Sequence, residues 1–87
     1  SPVHMTDNLE IYHISFKPQG KNKSNAHFPG AEEFFTVISG KFMITSGNYS
    51  ATVCEGDTAR YRADHEHIIE NITDLPAEAF LIVHFPK

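Results

Sequence analysis

Apolar and polar side chains alternate along most of this chain with a period of two, in short runs broken by Gly, Asn, Asp or Pro. A strand sends successive side chains to opposite faces, so such runs read as half-buried β-strands. No stretch holds the 3.6-residue repeat of a helix. Ile11 to Phe16 is the first predicted strand, and the polar stretch Lys17 to Asn25 reads as a surface loop. Glu33 to Ile38, rich in aromatic and β-branched residues, is turned by Ser39-Gly40 into Phe42 to Thr45, which predicts a hairpin. Ser46-Gly47-Asn48 then leads into Tyr49 to Cys54, and Glu55-Gly56-Asp57 into Thr58 to Arg62. These four strands are expected to run as a meander. After the polar connection Ala63 to Glu66 come His67 to Ile72, a turn through Asp74-Leu75-Pro76, and Ala79 to Phe85. About seven strands, each with one buried face, predict two antiparallel sheets closed over a common core. Periodicity leaves an immunoglobulin-like sandwich, an SH3-like barrel and a jelly roll all open.

Composition narrows the function classes more than the fold. Eighty-seven residues suffice for one core, so residues 1–87 are expected to be one domain. The opening Ser1 to Met5 reads as a cloning remnant or the cut end of a longer chain. A net charge of −4 with only seven Lys and Arg gives no basic face for phosphates, so the domain itself is not expected to hold nucleic acid. The chain has no apolar run long enough for a membrane span, and its lone Cys54 cannot form an internal disulfide, which together point to the cytoplasm.

Two stretches carry a family resemblance. Ala26-His27-Phe28-Pro29-Gly30-Ala31-Glu32-Glu33, continuing to Gly40, resembles the first motif of the cupin family, and Gly56, Asp57, His67 and Asn71 fall on the pattern of the second. The resemblance implies an all-β, cupin-type jelly-roll barrel. In cupins two first-motif His, a Glu and a second-motif His usually hold a divalent metal inside the barrel. Carried over residue by residue, Glu33 and His67 occupy the carboxylate and second-motif positions, while Ala26 and Phe28 stand where the two His would be.

Two ligands are few for a held ion, which generally takes three or four. His65, two positions before His67, would share its face if both are extended, giving Glu33, His65 and His67 as a three-ligand alternative. Without an ion, His67 is expected to hydrogen-bond Glu33 or a backbone carbonyl. If Glu33 faces inward, Phe35 and Val37 do so too, and a cavity there would be lined by Phe28, Glu33, Phe35, Tyr61 and His67. On the strand Thr58 to Arg62, Ala59 and Tyr61 form the buried face and Arg60 and Arg62 point outward. No nucleophile or oxyanion hole is evident, so no catalytic residue is assigned.

Among cupins, the chain resembles the carboxy-terminal sensor domains of bacterial regulators bearing a helix-turn-helix (XRE-type) at the amino end. Glu32-Glu33-Phe34, the Gly-Asp turn, Ala63-Asp64 and the His67-to-Asn71 ending carry that likeness. It implies a domain that binds a small-molecule effector, forms a homodimer and reaches DNA only through a helix-turn-helix domain absent from this sequence. The alternatives are a stand-alone metal-dependent cupin enzyme, of dioxygenase, lyase or isomerase type, and a bare binding module.

Overall fold

The computed structural model describes residues 8–26 and 29–86. Among these the chain forms eight strands and no helix: β1 (Leu9–Phe16), β2 (Lys21–Ser24), β3 (Glu32–Ser39), β4 (Lys41–Ser46), β5 (Tyr49–Cys54), β6 (Thr58–Arg62), β7 (His67–Asn71) and β8 (Ala77–His84). They build two four-stranded sheets, ordered β1-β8-β3-β6 and β2-β7-β4-β5. All pairings are antiparallel, and the sheets close on each other as a jelly-roll barrel. Between them, the rings of Phe16, Phe35 and Phe42 meet edge to face, with Phe35 and Phe42 centroids 4.9 Å apart. This geometry places the positive edge of one ring on the negative face of the next.

Two expectations fail. The turn at Ser39-Gly40 does not close a hairpin, because β3 belongs to the first sheet and β4 to the second. A bulge between Val37 and Ser39 ends the regular pairing with β8, and Gly40 takes a left-handed φ of 94° beneath the Ala77 side chain. A Cβ on Gly40 would lie 2.6 Å from that of Ala77, so only glycine fits this crossing. The chain crosses back between β5 and β6, leaving β4 and β5 as the hairpin and no four-stranded meander. A tight glycine turn serves a hairpin and a change of sheet equally well, so the local pattern does not tell them apart.

The second failure is β2, which lies inside the stretch read as a loop. Its sequence, Lys21-Asn22-Lys23-Ser24, has no apolar alternation, since this is a short edge strand whose lysines blunt an open edge. Pairing with β7 defines it, supported by Asn71 N donating to Gly20 O at 2.8 Å and Gln19 N to Thr73 O at 3.1 Å. Asn71 is buried and ties this end of the barrel together. Its amide donates to the carbonyls of Lys17 and Leu75 at 2.9 and 2.8 Å, and its oxygen accepts from the Thr73 N–H and hydroxyl.

The sheets differ on their outer faces. In the first, Leu9, Ile11, Phe34, Phe80 and Ile82 alternate outward, and Phe80 is 46% exposed. The Arg60 guanidinium lies 5.6 Å over the Phe34 ring, and His13 packs beside Phe80. The second turns out mostly polar side chains, among them Lys21, Lys23, Lys41, Thr45, Thr52 and Glu70.

Candidate functional site

Alternation along β3 turns Glu33 into the barrel, where it is 2% exposed. A buried carboxylate needs donors, and both sheets supply them. Tyr61, opposite Glu33 on β6, donates its hydroxyl to Oε1 at 2.7 Å. His67, the first residue of β7 in the other sheet, donates from Nε2 to Oε2 at 3.2 Å. The other ring nitrogen of His67, Nδ1, donates to the His65 carbonyl at 2.9 Å. Both ring nitrogens thus face acceptors, which favours the protonated imidazole, and the bond to Glu33 raises the His67 pKa above its usual value against the opposing effect of burial. Burial, with Glu33 beside it, pushes the Tyr61 phenol well above its ordinary range, so Tyr61 acts here as a neutral donor.

A pocket of about 250 Å³ opens on this carboxylate from the mouth of the barrel. Ile14, Ile69, Leu81, Val83 and Phe85 give it apolar walls, and Glu10, Tyr12, Asn22 and Ser24 line it with polar groups. The register places Glu10, Val83, Glu33 and Tyr61 in one row across the first sheet. Glu10 accepts the Tyr12 hydroxyl at 2.7 Å, a contact that raises the Tyr12 pKa.

A second cleft of about 380 Å³ lies at the seam between β5 and β6, lined by Tyr49, Arg60, Tyr61, Arg62 and His65. Its charged groups are already matched. Arg60 forks onto Glu32 at 2.8 and 3.2 Å. Arg62 pairs with Asp64, whose carboxyl is held down to about 2 by that guanidinium and by the Gly30 N–H.

Of the residues singled out from the sequence, the structure brings Glu33, Tyr61 and His67 into one bonded cluster. Phe35 lies among the core rings, not on the pocket wall. Phe28 lies outside the described residues. His65 does not join Glu33 and His67: its ring turns to the Ser46 hydroxyl at 2.8 Å, and Ser46 in turn donates to the Arg62 carbonyl. Among the described residues no group of three or more His, Cys, Asp or Glu is placed to hold a metal ion. Glu33 and His67 bond each other at 3.2 Å, and His65, the third ligand of the expected set, turns away from them. The sequence reading did not single out Glu10, Tyr12, Asn22, Ser24 or the β8 wall. The spacing Glu10-x-Tyr12 was visible, but its direction depends on the pairing of the first strand with the last.

Residues 12–83 match the family model described as a cupin domain. A mannose-1-phosphate guanylyltransferase from Salmonella muenchen is 31% identical over 78 residues, 90% of this chain and 16% of that enzyme. The chain thus spans less than a fifth of that relative's length. The cupin domain of an XRE-family transcriptional regulator from Enterobacter cloacae superposes with a TM-score of 0.89 at 22% identity, covering 100% of this chain and 95% of that one. An HTH_3-family transcriptional regulator from Vibrio cholerae gives 0.86 at 23% identity, over 93% of this chain and 45% of that one. At such identities these superpositions establish the fold alone.

Proposed function

The chain belongs to the cupin family, and from that premise we propose that it is the effector-sensing and dimerisation domain of a bacterial transcriptional regulator, working in the cytoplasm. One observation carries the reading: β3 and β8 wall the internal pocket with one side and turn Phe34, Phe80 and Ile82 to the outer face with the other. Glu33 and Val83 face the pocket while their neighbours Phe34 and Ile82 face out. A small molecule that shifts these strands from inside therefore shifts what they present outside. In a dimer, that movement changes the spacing of any attached DNA-binding heads and their fit to paired half-sites.

The outer face has the dimensions for self-association. Four strands spaced about 4.8 Å apart and eight residues rising about 3.4 Å each give roughly 500 Å² per copy, so two copies would bury about 1,000 Å², near the lower limit of specific interfaces. The names of the two regulators of similar fold agree with this role.

A second reading, a metal-dependent cupin enzyme, is favoured by the buried Glu33–His67 pair at the position of the family's ligands. Elemental analysis of protein purified without an affinity metal separates the two. Metal-free, folded protein whose melting temperature rises with a small organic molecule supports the sensor. Stoichiometric metal that disappears in His67→Ala would replace it with the enzyme.

A further inference from the structure

Effector sensing leaves open what the pocket selects, and its walls bear on that choice. The cavity, about 250 Å³, falls just below the roughly 300–1,000 Å³ usual for ligand pockets, so its occupant is small. Five aliphatic or aromatic side chains fit a compact apolar body. Among the described residues no Lys or Arg lines the cavity, while two carboxylates do, Glu10 and Glu33, flanking Val83 in one cross-sheet row. Their roles differ. Glu33 lies buried at the pocket floor, committed to Tyr61 and His67. Glu10 is only half-buried, on β1 beside the barrel mouth, and accepts the Tyr12 hydroxyl through Oε1. Tyr12 thus aligns the Glu10 carboxylate without neutralising it.

We infer that the pocket selects a small cationic ligand, an ammonium group on a short apolar chain, with the ammonium at Glu10 and the chain against Ile14, Leu81 and Val83. An anionic ligand of the same shape would have to shed its hydration beside a carboxylate with no Lys or Arg among the described lining residues to compensate. An ammonium gains a charge-assisted hydrogen bond at the same place. This rests on the pocket being the sensing site, and it excludes phosphorylated sugars and carboxylic acids from the candidate effectors.

The test is an amide-resonance titration of the protein with butylammonium, valerate and 1-butanol, which share a four-carbon tail and differ in the head group. Butylammonium is expected to move the Val83, Leu81 and Ile14 amides and to bind about tenfold or more tighter than valerate, a difference of about 1.4 kcal/mol. In Glu10→Gln the preference should fall to the level of butanol while butanol binding is unchanged. In Tyr12→Phe, which keeps the carboxylate, the preference should remain. Valerate binding as tightly as butylammonium, or a preference surviving in Glu10→Gln, would overturn the cationic class and leave the pocket as the sensing site. Pocket amides that respond to none of the three heads would overturn both.

Discussion

The two sheets of this barrel share a core but meet the world differently. The sheet β1-β8-β3-β6 carries large apolar side chains on both sides: Phe35, Leu81 and Val83 inward, and Phe34, Phe80 and Ile82 outward, set among the ion pairs Arg60–Glu32 and His13–Glu78. The sheet β2-β7-β4-β5 follows the ordinary rule of an antiparallel sheet with one solvated face: Phe42, Ile44 and Ile69 inward, Lys41, Thr45 and Glu70 outward. Burial between the sheets explains only one face of each, and the outward apolar side chains of the first are what the proposed dimer would cover. The contrast teaches that strand alternation reports packing on each side separately.

The inner faces should be equivalent, and the largest effects test this. Phe35→Ala in one sheet and Phe42→Ala in the other each remove a fully buried ring and should each cost about 3–5 kcal/mol in urea unfolding. A loss confined to one would mean that the sheets do not share a single core. Next is Asn71→Ala, which leaves the Thr73 N–H at the β2–β7 end without its acceptor and takes one of two donors from each of the Lys17 and Leu75 carbonyls. It should cost about 1–3 kcal/mol, whereas a fully stable variant would mean that these loops need no such tie.

The outer faces should behave unequally. Phe80→Asp on the apolar face is expected to weaken self-association at least tenfold in analytical ultracentrifugation, while Met43→Asp on the polar face leaves the mass unchanged. A monomeric parent protein at micromolar concentration, or equal effects of the two variants, would remove the contrast.

The smallest effect concerns the bond between the sheets. Because Glu33 raises the His67 pKa, the folded state holds that proton more tightly than the unfolded one. The resulting stability is complete below the unfolded imidazole value of about 6.5 and is lost as pH rises through the raised folded value. The stability difference between the protein and His67→Gln should therefore shrink as pH rises above about 6.5. A pH-independent difference would show that the Glu33 contact does not bias the proton.

What the sequence revealed follows the range of each interaction. Strands β1 and β3 to β8 are legible because their apolar positions alternate locally, and Glu33 and His67 because they stand at recognisable motif positions. Strand β2 is hidden, since Lys21 to Ser24 owes its extension to β7 far along the chain and not to its own side chains. The sheet change at Gly40 is hidden because it depends on Ala77, which packs against it from the far end of the sequence. The pocket-facing role of Glu10 and Tyr12 depends likewise on the register of β1 with β8.

That same pairing has a consequence for how the molecule comes into being. The first strand hydrogen-bonds along its whole length to the last, and the last sits between β1 and β3 in its sheet. Until Ala77 to His84 has left the ribosome, β1 and β3 each expose an unsatisfied edge and the Phe35 side of the core stays uncovered. Folding must wait until β8 has been made, and its rate should be governed by the slow closure of that long loop. A truncation of the last strand would therefore leave two sticky edges for aggregation or chaperones, where loss of the polar edge strand β2 would leave one lysine-guarded edge.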